Sequence, residues 1–152
     1  MRFEHLLQVT DPADPRVPPM SRAELWRGLM ARVEAPQRFP LGPDRCEAEP
    51  DGAGLRRRIH FGALRFEDTV TLEPERRIAF VPQPHEGAAP IALTITVEEP
   101  TPGALFLRFV YRADAAEGGA DAALQRCREQ AWLEMDRDML RTLRAWQAEA
   151  RL

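Results

Sequence analysis

Apolar and polar residues alternate with a period of two across "RFEHLLQVT". Phe3, His5, Leu7 and Val9 fall on one side, which predicts a half-buried strand. The prolines of "DPADPRVPP" then exclude regular helix or sheet. In "SRAELWRGLMARVE" the period lengthens to that of a helix, with Leu25, Trp26, Leu29, Met30 and Val33 as its apolar stripe. Ser21 and Glu24 have the spacing of a capping box, and Pro36 either ends the helix or starts a second short turn. From residue 44 to 112 the period returns to two. It predicts strands near 44–49, 54–61, 64–73, 77–82, 90–98 and 104–112, separated by Gly, Pro and acidic turns. The final stretch, from "DAALQRC" onward, contains neither proline nor glycine. It predicts one helix of about 45 Å at 1.5 Å per residue. Its inner stripe reads Leu124, Cys127, Ala131 or Trp132, Met135, Met139, Leu143 and Trp146.

Strand, helix, six strands, long helix is the resulting order, in one domain spanning residues 1–152. Consecutive hairpins imply an antiparallel meander. A sheet with one apolar face needs a cover, and the C-terminal helix is the element large enough to provide it. This is an α+β arrangement in which side chains or a ligand must fill the space between helix and sheet.

The segment "LRRRIHFGALRFEDTV" fixes a register. With Gly62-Ala63 as a two-residue turn, Phe61 faces Leu64, Ile59 faces Phe66, Arg57 faces Asp68 and Leu55 faces Val70, all on one side. His60 opposite Arg65 and Arg58 opposite Glu67 occupy the other. Arg57 and Asp68 therefore sit in an otherwise apolar row, at the ~5 Å Cβ separation that permits a salt bridge. Desolvation offsets the attraction in a buried pair. The pair marks either a polar patch inside a hollow or a solvated rim.

Other candidates follow from the same faces. Leu105, Leu107, Phe109 and Tyr111 share a side, and pairing through "EPTPG" places Tyr111 beside Ile91. A phenol there orients a ligand oxygen or serves as a core aromatic. His5 points inward without an identifiable partner, and His85 lies in the Pro/Gly-rich loop "PQPHEGAAP". Trp132, Met135 and Met139 form a soft stripe that lines a pocket if the helix stands off from the sheet and is core otherwise. The candidate ligand-binding set is Arg57, Asp68, Tyr111, His5, Phe66, Phe109, Trp132, Met135 and Met139.

Composition narrows the classes. Apolar residues make up 44% and charged residues 30% of 152, a globular balance. The formal net charge is -3, and the basic runs Arg56-Arg57-Arg58 and Arg76-Arg77 are flanked by acidic residues, so no nucleic-acid footprint emerges. Lysine is absent, which with the abundance of alanine and proline suggests a GC-rich bacterial genome. No signal-peptide pattern or run of ~20 apolar residues is present, which makes the cytoplasm the expected location and excludes stable membrane insertion. Cys46 and Cys127 lack metal-ligand spacing and are expected as free buried thiols. Neither a GxSxG elbow, a phosphate-binding loop nor a dinucleotide fingerprint occurs. Glu98-Glu99 and Asp136/Asp138 fall on solvent-facing or alternating positions. No metal or cofactor is expected.

The segments "RFEHLLQV-DP", "SRAELWRGL", "RRIHFG", "VTLEPERRI" and "EEPTPGALFLRFVY" resemble the AtaL-like family of the START-like (SRPBCC) superfamily over nearly the whole chain. The resemblance implies a helix-grip fold, a curved seven-stranded antiparallel sheet wrapped around a long C-terminal helix. Superfamily relatives bind lipids, hormones or polyketides, and a minority catalyse cyclisation or hydrolysis. The expected function is binding of an apolar or aromatic, polyketide-like or lipid-like small molecule between sheet and helix. A polyketide cyclase or aromatase-like enzyme and a cavity-less protein-interaction domain are the alternatives, and a homodimer is left open. Fold analogy alone does not choose among them.

Overall fold

Each stretch with a period of two forms a strand, and each stretch with a helical period forms a helix. The structure, a computed structural model, describes residues 1–84, 89–114 and 122–152. Strand β1 (Arg2–Gln8) leads through the proline-rich connection to helix α1 (Arg22–Glu34), and a single 3-10 turn follows at Pro36–Arg38. Six strands come next: β2 (Arg45–Asp51), β3 (Gly54–Phe61), β4 (Leu64–Glu73), β5 (Arg77–Pro82), β6 (Ala92–Thr101) and β7 (Ala104–Arg112). Helix α2 runs from Ala122 to Ala148. The strands make one seven-stranded antiparallel sheet in the order β1-β7-β6-β5-β4-β3-β2. His85 lies outside the described residues, so its place is not assigned.

Local chemistry accounts for the boundaries. The Ser21 side chain accepts from the Glu24 backbone N–H, and the Glu24 carboxylate accepts from the Ser21 N–H, which closes the capping box of α1. Gly62, at φ +56°, takes the left-handed position of the β3–β4 turn, and the register runs as expected from Phe61↔Leu64 through Arg57↔Asp68 to Leu55↔Val70.

One register differs. Tyr111 stands opposite Leu93, not Ile91. The β6–β7 turn is the tight Pro102-Gly103 pair, with Gly103 at φ +83° and Thr101 opposite Ala104, and an irregularity between Glu98 and Thr101 shifts the ladder. A five-residue connection does not form, so β6 extends three residues beyond the expected end.

The core lies between the helices and one sheet face. Leu25, Leu29 and Val33 of α1, Val70, Ile78, Ile95, Leu107 and Phe109 of the sheet, and Leu143 of α2 are all sealed from solvent. The two helices approach closely at Gly28, where a Cβ would meet Leu143 Cδ2 at 2.6 Å. The α2 stripe begins later than its spacing implied. Leu124 is 58% exposed and Cys127 is also exposed. Ala131 faces outward and Trp132 inward. Cys46 is half-buried and Cys127 exposed; both are free, so the expectation of two buried thiols fails for Cys127.

Candidate functional site

The inward row of β3 and β4 builds the first part of the site. Arg57 and Asp68 are 6% and 7% exposed, so the solvated-rim alternative does not apply. Their pairing is bidentate: Arg57 Nε donates to Asp68 Oδ1 at 2.9 Å and Nη2 to Oδ2 at 2.6 Å. Arg57 Nη1 donates to the Val33 carbonyl at 2.9 Å and the Arg32 carbonyl at 3.3 Å, satisfying the C-terminal end of α1. Its Cζ lies 5.0 Å from the centre of the Phe80 ring. Arg57 therefore binds helix to sheet, and most of its donors are committed to that work.

Beside this pair lies a cavity of about 240 Å³. Ile59, Phe80, Ile91 and Leu93 of the sheet side, Met135 and Met139 of α2, and Phe39 after the 3-10 turn supply its apolar walls. Leu41 and Phe61, 55% and 44% exposed, stand at its open side. The charged side chains on its wall are Arg32, Arg57, Asp68 and Asp138.

A second polar cluster sits deeper, on Asp136, which is completely buried. Tyr111 Oη donates to Asp136 Oδ2 at 2.7 Å, and His5 Nε2 lies 2.8 Å from the same oxygen. Arg32 Nη1 donates to Oδ1 at 2.8 Å. Strands β1 and β7 and helix α1 are thus all tied to α2 through one carboxylate. Because the carboxylate accepts, the proton of His5 belongs on Nε2. Among the described residues His5 Nδ1 is buried without a partner. Stacking orients the donors: His5 lies on Phe109 at 4.7 Å between centroids and Tyr111 on Trp132 at 4.3 Å. Burial first, then the neighbouring Asp136 charge, pushes the Tyr111 phenol far above its ordinary value despite the opposing Arg32. Burial alone would lower the Arg32 guanidinium, but the Asp136 charge outweighs it and holds the group above its ordinary value.

Two sequence expectations are corrected here. His5 does have a partner, and Asp136 is not solvent-facing. Asp136 follows Trp132 by four residues and precedes Met139 by three, so it lies on the buried stripe at helical spacing. Assigning that turn of the stripe to Met135 hid it. Arg32 was missed for the same reason: it follows Leu25 by seven residues and Leu29 by three, on the inner side of α1.

The nine candidates divide accordingly. Arg57, Asp68, Met135 and Met139 border the cavity. His5 and Tyr111 bind Asp136, and Phe109 and Trp132 stack on those two donors. Phe66, 39% exposed, packs edge-on against Phe61 beside the opening. Among the described residues no group of three or more His, Cys, Asp or Glu side chains is arranged to hold a metal ion, and no helix is long and apolar enough to cross a membrane.

Comparison with known proteins places this geometry. Residues 7–150 match the AtaL family, described as acetylaranotin biosynthesis cluster protein L. The chain belongs to the AtaL family. No curated protein matches it. Among solved structures, the di-domain ARO/CYC StfQ from the steffimycin biosynthetic pathway superposes with a TM-score of 0.73 at 14% identity, over 98% of this chain and 51% of that one. This AtaL-family chain thus spans about half the length of StfQ. The Zhui aromatase/cyclase from Streptomyces sp. R1128 gives 0.65 at 13% identity, covering 96% and 94%. DynU16, from the dynemicin biosynthetic locus, gives 0.64 at 18%, covering 94% and 47%. At these identities the likeness establishes the helix-grip fold and no activity.

Proposed function

We propose that this AtaL-family chain binds one small, mainly apolar molecule in the cavity between helix α2 and the sheet. The observation that carries this reading is an apolar chamber with a buried ion pair in its wall. A volume of about 240 Å³ lies just below the ~300–1,000 Å³ typical of sites for drug-sized ligands. It therefore suits a ligand with one or two rings or a short chain. Met135 and Met139 give the wall adaptable surface, and Arg57 and Asp68 supply a fixed dipole beside it.

Thermal unfolding with 1-acetonaphthone as a probe tests this. Stabilisation should grow with the logarithm of probe concentration, to about 2.7 kcal/mol at a hundredfold excess over the dissociation constant. Ile59→Trp, which fills the cavity, should abolish it. No stabilisation of the wild type, or the same stabilisation in Ile59→Trp, would refute the reading.

A cyclase-like enzyme is the second reading. It is favoured by Asp68 and Asp138, two carboxylates on the wall of a largely apolar chamber. Turnover of a poly-ketone substrate that disappears in a folded Asp68→Asn variant would select the enzyme over the carrier.

A further inference from the structure

We propose that Arg32 receives the polar end of the cavity's ligand, and that this end is a hydrogen-bond-accepting oxygen of a carbonyl or carboxylate. This rests on the binding role proposed above and narrows it to one contact. Four charged side chains border the cavity, and three are otherwise engaged. Arg57 gives Nε and Nη2 to Asp68 and Nη1 to two carbonyls of α1. Asp68 accepts both arms of that fork. Asp138 faces Arg141 Nη2 at 3.4 Å.

Arg32 differs. Its Nη1 donates to Asp136 Oδ1 at 2.8 Å and contacts Met139 Sδ at 3.2 Å. The guanidinium also makes a side-chain hydrogen bond with the Tyr111 hydroxyl, and among the described residues it has no other hydrogen-bond acceptor. None of its nitrogens is among the buried side-chain atoms lacking a partner there, which are His5 Nδ1 and Arg144 Nη1. The Arg32 side chain keeps 14% of its surface exposed, and the residue borders the cavity.

Its aim is fixed from behind. Asp136 holds one arm, Tyr111 and His5 hold Asp136, and the Phe109 ring lies 5.9 Å from Arg32 Cζ. A planar fork held this way loses little freedom when an oxygen meets its exposed edge. Asp136 also neutralises much of the charge, so an uncharged carbonyl suits the site as well as a carboxylate.

Three probes of one shape separate the cases: 1-acetonaphthone, 1-naphthoate and 1-ethylnaphthalene, titrated into the full chain by calorimetry. Both oxygen-bearing probes should bind at least about tenfold more tightly than 1-ethylnaphthalene, the order expected of a hydrogen bond to a charged donor. Arg32→Met should erase that preference while retaining 1-ethylnaphthalene binding. The tighter of the two oxygen-bearing probes identifies ketone or acid as the preferred source. Equal binding of all three to the wild type, or a preference that survives Arg32→Met, overturns the assignment and leaves the cavity reading standing. Binding of none overturns both. Should Arg32→Met fail to fold, the Arg32 Nε–H resonance of the wild type decides. It should move with 1-acetonaphthone and stay still with 1-ethylnaphthalene, and an unmoved resonance with both bound refutes the contact.

Discussion

Asp136 shows how much can depend on one side chain. It is fully buried and accepts from a tyrosine, a histidine and an arginine on three different elements. Removing its charge leaves Arg32 without a counter-ion, and breaking a buried pair costs about 3–5 kcal/mol. Asp136→Asn should therefore lose about that much in urea unfolding, and a loss under 1 kcal/mol would show the cluster to be dispensable. Tyr111 adds a pH signature. Its folded pKa is raised above the ordinary value of 10.0, so the phenol keeps its proton after the unfolded chain has lost it. The stability this provides is present below pH 10 and declines above it, by up to about 1.4 kcal/mol per pH unit. Tyr111→Phe should flatten that alkaline decline, and an unchanged slope would contradict the burial. The residue pattern concealed this cluster because a charged residue on an apolar stripe reads as an interruption until its partners are known. The partners of Asp136 come from segments more than 100 residues away in sequence and from β7.

Elements meet at two points that substitutions can probe. Arg57 on β3 reaches the last carbonyls of α1 and locks Asp68 on β4. Arg57→Met should destabilise by about 3–5 kcal/mol, whereas the double variant Arg57→Met/Asp68→Leu should recover much of the loss, since it leaves no unpaired buried charge. Equal loss in both variants would show that the helix carbonyls, not the ion pair, dominate. At the α1–α2 crossing, Gly28→Ala pushes a methyl into a sealed Leu143, and overpacking of this kind costs about 1–3 kcal/mol by thermal unfolding. Much at this scale was legible. The Arg57–Asp68 pairing follows from a period of two and a glycine turn, because a one-residue slip would expose every apolar side chain of the hairpin. The β6–β7 register was not legible, since an irregularity resets the count without changing the alternation that announces a strand.

At the scale of the whole molecule, the helix-grip layout was readable because each segment carries its own periodicity and because one helix alone is long enough to cover the sheet. The cavity was readable only as an expectation, because the contacts that seat the helices, Gly28 on Leu143, Arg57 on the end of α1 and Asp136 on α1, β1 and β7, join segments far apart in the sequence. The candidates accordingly split into a cavity group and a buried network, joined at Arg32, which borders the one and anchors in the other. The most direct test of this account is a methyl spectrum of the labelled protein titrated with 1-acetonaphthone. A ligand in the cavity should produce saturable shifts of the Met135 and Met139 methyls together with Ile59 and Leu93, while the exposed Leu64 and Val81 stay in place. Unmoved methionine methyls at millimolar probe, or shifts confined to Leu64 and Val81, would contradict it.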